Sequence, residues 1–165
     1  LYNHGQHETA LEKAKPLISL FPKALTLYDI QGASNVSLQK YDAAIASFKQ
    51  AIKIKPDYAE AYSNMGNALT DKGELDASID SYKQAIKIKP DYADAYSNMG
   101  NALKDKGELD AAIDSYKQAI KIKPDYPEAY YNMGVTLQEN ARGGSVDCVN
   151  GRKCSAYVDS TVIGL

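Results

Sequence analysis

Apolar and small residues recur at helical intervals along most of this chain, in short stripes broken at regular places. Tyr62, Met65, Gly66 and Leu69 hold the i, i+3, i+4, i+7 spacing of one helix face. Asp71-Lys72-Gly73-Glu74 interrupts that stripe, and Gly73 supplies the permissive backbone that ends a helix. The stripe resumes at Leu75 and runs through Ile79, Tyr82, Ala85 and Ile86. Pro90 then closes it, because proline disfavours helix at the residue before it. The pattern predicts two short antiparallel helices and a turn.

That unit is written twice. Residues Ala59–Tyr92 and Ala93–Tyr126 differ only at Glu60/Asp94, Thr70/Lys104 and Ser78/Ala112. Pro22, Pro56, Pro90 and Pro124 keep the same register, each 34 residues from the last. A fixed period of this length means stacked supersecondary units rather than one closed globule. Helices of about a dozen residues are marginal alone in water, so each must lean on its neighbours. Gly66, Ala77 and Ser78 are expected to let paired helices approach. Tyr28, Tyr62, Tyr82, Tyr96, Tyr116 and Tyr130 are expected to fill the volume left over.

The unit resembles the tetratricopeptide repeat, whose 34-residue pattern sets an aromatic, Leu-Gly, Ala, a second aromatic, Ala and Pro at fixed places. Those places hold Tyr62, Met65-Gly66, Ser78, Tyr82, Ala85 and Pro90, then Tyr96, Met99-Gly100, Ala112, Tyr116, Ala119 and Pro124. Residues 25–58 match at Tyr28, Gly32, Ala44, Phe48, Ala51 and Pro56, and depart at Gln31, Asn35 and Gln39, which predicts a less regular first helix. Residues 1–24 read as the second helix of an earlier unit, with Gly5 standing where Gly73 and Gly107 stand. Residues 127–141 read as the first helix of a further unit. The expected organisation is therefore a half unit (1–24), whole units at 25–58, 59–92 and 93–126, a half unit (127–141) and a non-repeat tail (142–165). Half units at both ends suggest a piece of a longer array. The resemblance implies an all-α fold, a right-handed α-solenoid of antiparallel helix pairs.

It also implies a concave groove lined by the first helix of each unit. Carried over, the groove places are Glu60, Ser63, Asn64, Asn67, Thr70 and Asp71, with their copies Asp94, Ser97, Asn98, Asn101, Lys104 and Asp105. The last half unit adds Glu128, Tyr131, Asn132, Val135, Gln138 and Glu139. Asn64, Asn98 and Asn132 recur at the 34-residue spacing, and an asparagine offers both donor and acceptor to a peptide backbone. This column is similar to the asparagine ladder in the repeats of O-GlcNAc transferase, but it stops at Ile30. The alternative is that each asparagine bonds only within its own stack or to water. Groove carboxylates outnumber groove lysines, so the expected ligand is a protein or peptide segment that is neutral, Ser/Thr-rich or basic. The basic clamp by which some family members hold a carboxylate tail is absent: Asp29, Ser63, Asp94, Asn98, Glu128 and Asn132 fill those places.

Composition narrows the picture further. A charged fraction of 24% with net charge −2 gives no field for nucleic acid. Lys83, Lys87, Lys89 and their copies read as a solvated convex face. No apolar run approaches the roughly 18 residues that span a bilayer. The first residue is Leu1, so a leader preceding it stays open, as does the compartment. No metal set, phosphate loop or catalytic constellation stands out, and the chain is expected to need no cofactor and to be no enzyme. After Ala141 the pattern stops. Asn150-Gly151 could close a hairpin that sets Cys148 near Cys154, but a lone hairpin is marginal in water. A largely disordered or loosely packed tail is therefore the favoured expectation, and a cap over the end of the stack is the alternative. The expected function is protein–protein interaction through an extended peptide in the groove. Two alternatives are the substrate-recruiting arm of a larger enzyme, such as an O-GlcNAc-transferase-like glycosyltransferase, and a structural stack that self-associates end to end.

Overall fold

A computed structural model describes residues 2–143. The tail from 144 onward, with its hairpin and cysteine readings, lies outside the described residues. Eight helices follow one another among those residues: α1 (Tyr2–Leu20), α2 (Leu25–Ser37), α3 (Tyr41–Ile54), α4 (Ala59–Lys72), α5 (Leu75–Ile88), α6 (Ala93–Lys106), α7 (Leu109–Ile122) and α8 (Pro127–Gly143). No strand occurs among the described residues.

Two kinds of turn alternate. After α4 and α6 the chain turns at Gly73 and Gly107, with φ of 86° and 87°. In the first turn Glu74 N–H reaches Leu69 O at 2.9 Å and Gly73 N–H reaches Thr70 O at 2.9 Å, which satisfies carbonyls the helix end would leave orphaned. After α2 the same turn is made by Gln39 with φ of 57°, the one non-glycine residue at positive φ among those described. Its bonds are equivalent, Lys40 N–H to Asn35 O and Gln39 N–H to Val36 O, both 2.8 Å. The irregularity expected of α2 is thus confined to its last turn. The other kind of turn carries the prolines. Tyr58 N–H bonds Lys55 O at 3.2 Å around Pro56, and Tyr92 N–H bonds Lys89 O at 3.1 Å around Pro90. Proline suits the second position of such a turn because its φ is already set.

Helix pairing follows the small residues. Ala44, Ala51, Ala61, Ala68, Ala85, Ala95, Ala102, Ala112 and Ala119 are all fully buried at 0% exposure. One ring per unit fills what they leave: Phe48, Tyr82 and Tyr116, at 1%, 1% and 0%. Each ring lies against a glycine of the preceding helix. A Cβ placed on Gly66 would meet the Tyr82 ring at 2.7 Å, and one on Gly32 would run into the Phe48 ring. The Ser78 hydroxyl closes the same contact by donating to Gly66 O at 2.9 Å. Ala77, expected beside it, is exposed and points away.

Successive units are also pinned by charge. Lys72 at the end of α4 bridges Asp42 of the preceding unit and Glu74 of its own turn, both at 2.6 Å. Lys106 repeats this with Asp76 and Glu108. In the next unit Asn140 stands in the lysine's place and donates to Asp110 at 2.8 Å.

Two expectations at the ends are corrected. Gly5 forms no turn; it sits inside α1, with nothing packed against it. Tyr130 is 49% exposed, because among the described residues no helix follows α8 to cover it.

Candidate functional site

Every helix packs against the next, and α2, α4, α6 and α8 also touch one another in sequence. The other set, α1, α3, α5 and α7, makes no such contacts among the described residues. Helices that meet are on the inside of a bend. The stack therefore curves with α2, α4, α6 and α8 on its concave side.

On that side an open cleft of about 450 Å³ is lined by Val36, Asn67, Thr70, Asp71, Tyr82, Asn98 and Asn101. It brings together residues 67 and 71 of α4 with 98 and 101 of α6. A smaller opening of about 280 Å³ adjoins it, lined by Ala33, Val36, Ser37, Phe48, Asn64 and Asn67.

The cleft is polar and its amides are tied down. The Tyr82 hydroxyl donates to Asn67 Oδ1 at 2.7 Å, and Asn98 Nδ2 donates to that same oxygen at 3.0 Å. One unit later Tyr116 donates to Asn101 Oδ1 at 2.8 Å, and Asn132 Nδ2 donates to it at 3.0 Å. Each bridge joins three helices across a repeat boundary. The asparagine column is thus bonded within the stack through part of its capacity, and each amide keeps the rest. Asn64 has no equivalent bridge, since Ala33 and Phe48 replace the amide and the hydroxyl it would need.

The remaining proposed residues divide by burial. Asp71 and Asp105 are exposed, and Tyr131 is 72% exposed on α8. Ser63 and Ser97 are buried at 3% and 2%, which corrects their placement as groove contacts. Ser97 faces the repeat junction, where the Tyr126 hydroxyl lies against it and Asp94. The equivalent tyrosine two units earlier in the stack, Tyr58, donates to Asp29 Oδ2. That bond, with burial second, pushes the Tyr58 phenol up to about 12. Burial pushes Tyr116 up to about 12 and raises Tyr82.

The junction tyrosines are a feature the sequence analysis missed. Lys55, Lys89 and Lys123 each lie over the ring of Tyr58, Tyr92 or Tyr126, at 5.4, 4.7 and 4.3 Å from the centroid. Lys89, read as solvated convex charge, belongs to this set. The repeated Lys-Pro-Asp-Tyr string was the available signal.

Among the described residues no three His, Cys, Asp or Glu side chains gather as metal ligands, and no helix is long and apolar enough to cross a membrane.

A curved stack of helical hairpins, closed by an aromatic-on-glycine contact in each unit and carrying a polar inner cleft, defines an α-solenoid. The family model described as the TPR repeat matches residues 32–70, 66–107 and 100–140. The chain belongs to the tetratricopeptide repeat family. Among solved structures it is similar to crystalline MamA, at 29% identity over 82% of this chain and 80% of that one, with a TM-score of 0.76. It shares its fold with the first TPR of Spaghetti (RPAP3) bound to the HSP90 peptide SRMEEVD, at 20% identity over 71% of this chain and 93% of that one, TM-score 0.68. The Sgt2 TPR domain from Aspergillus fumigatus is similar at 20% identity over 81% and 91% of the two chains, TM-score 0.69. No curated protein sequence matches the chain.

Proposed function

We propose that this chain is a non-catalytic interaction module whose concave face holds an extended segment of a partner protein. The observation that supports this most directly is the cleft in which Asn67, Asp71, Asn98 and Asn101 converge from two successive units. Amides at repeat spacing suit a peptide main chain, since each can meet an N–H or a C=O without regard to the side chain between them. The peptide held by RPAP3 is acidic toward its end, Glu-Glu-Val-Asp. Here the cleft presents Asp71 and no basic residue, so a neutral, Ser/Thr-rich or basic segment fits better.

A peptide array probed with wild type and with an Asn64, Asn98, Asn132→Ala triple variant tests this. Ligands are expected to lose at least about tenfold in affinity, the equivalent of one or two hydrogen bonds. Equal binding by the variant would sink the asparagine column as the contact. A second reading, end-to-end self-association, is favoured by the uncovered Tyr130, Tyr131 and Leu137 of α8. Light scattering that gives a monomer mass at all concentrations would remove it.

A further inference from the structure

Asn67 and Asn98 belong to different repeats, yet the oxygen that joins them also accepts a hydroxyl from a third helix. An amide oxygen has two lone pairs. At Asn67 the Tyr82 hydroxyl and Asn98 Nδ2 occupy them; at Asn101, Tyr116 and Asn132 do. Asn67 and Asn101 are therefore saturated as acceptors and keep only their Nδ2 donors. Asn98 and Asn132 each commit an Nδ2 proton and keep Oδ1 as an acceptor. Phe48 lacks the hydroxyl and Ala33 lacks the amide, so Asn64 is not turned by any such bridge.

We propose that Tyr82 and Tyr116 are positioning residues that fix which atom each groove asparagine presents. The concave face then offers acceptors at Asn98 and Asn132 and donors at Asn67 and Asn101, a pattern that takes the N–H and C=O groups of an extended main chain. The ligand consequence rests on the peptide-groove reading; the positioning role rests on the bridges alone. It also shortens the column to Asn98 and Asn132, with Asn64 as a free amide.

The test uses the whole chain and Tyr82→Phe and Tyr116→Phe variants, in which the ring that fills the core is kept, as Phe48 keeps it in the first whole unit. Side-chain amide exchange is followed by nuclear magnetic resonance without ligand. In wild type the bonded Nδ2 proton of Asn98 and of Asn132 is expected to exchange about fivefold more slowly than those of Asn64, as one neutral hydrogen bond provides. Tyr82→Phe brings Asn98 to the Asn64 rate while the backbone amides of α4 to α6 keep their protection. Asn98 exchanging as fast as Asn64 in wild type, or unchanged by Tyr82→Phe, overturns the positioning role.

The ligand arm uses a blocked (Ser-Thr-Ala)4 peptide and its counterpart with alternate N–H groups replaced by ester oxygens. The amide form is expected to bind about tenfold tighter, and the double Tyr→Phe variant to reduce that ratio to about two. An ester form that binds wild type equally well overturns the acceptor assignment. Protected amides with no peptide-induced shift in the cleft leave the positioning role standing and sink the peptide-groove reading.

Discussion

One added methyl group should have opposite effects at two glycines that share a repeat position. A Cβ on Gly66 would lie 2.7, 2.9 and 2.9 Å from three atoms of the Tyr82 ring. That ring is 1% exposed and held by its bond to Asn67, so it has nowhere to retreat. Overpacking of this kind costs about 1–3 kcal/mol, and three contacts this short argue for the upper half of that range. Replacing glycine by alanine within a helix returns about 1 kcal/mol. Gly66→Ala is therefore expected to destabilise by about 1–2 kcal/mol. Gly134 occupies the same place in α8, but nothing lies within 4 Å of its Cβ position. Only the propensity gain remains there, and Gly134→Ala is expected to stabilise by up to about 1 kcal/mol. Urea melts followed by circular dichroism read both variants, supported by thermal shifts of about 2–4 °C per kcal/mol. A Gly66→Ala variant as stable as wild type would falsify the close ring–helix contact. A destabilised Gly134→Ala would mean that α8 is covered in solution.

Further expectations concern the core, one turn and high pH. Tyr82→Ala removes the largest fully buried side chain of its unit and should cost roughly 3–5 kcal/mol; a urea-melt effect below about 1 kcal/mol would show the core face to be misassigned. Gln39→Gly relieves a left-handed conformation worth about 1–2 kcal/mol and gives back part of that as unfolded-chain entropy. A net gain of about 0.5–1 kcal/mol is expected, and any loss of stability counts against the turn geometry. Tyr58 and Tyr116 have folded values of about 12, above the ordinary 10.0. At these two groups the folded state then binds more protons than the unfolded one between pH 10 and pH 12, so their contribution to stability is constant below that window and falls through it. Tyrosinate absorbance that rises in two steps, the exposed tyrosines near pH 10 and a later fraction only together with loss of helix, supports this. Full ionisation near pH 10 with the helices intact contradicts it.

Much of this architecture is legible in the order of the residues alone. Period, helix faces and turns follow from residues whose physics is local: Gly73 at positive φ, Pro56 and Pro90 in turns, Tyr82 on an apolar stripe. The family pattern, in turn, pointed to the concave helices. What stayed hidden was anything set by the third dimension across a repeat boundary. Ser63 and Ser97 lie on the polar side of a helix wheel, yet the neighbouring repeat buries them. Asn67 reads as one more groove amide, while its oxygen is consumed by Tyr82 and Asn98 from two other helices. A hint was present in the pairing of Phe48 with Ala33 against Tyr82 with Asn67. It becomes meaningful only when residues 15 apart are known to touch.

Because packing reaches no further than the next-but-one helix, the described repeats act mechanically as a row of similar joints rather than a solid block. A small rotation at each Pro-containing corner adds along the row, so overall curvature is soft while every individual joint stays close to its rest angle. A strand lying along the inner side would therefore act as a tether, stiffening the coil most where it crosses the most corners.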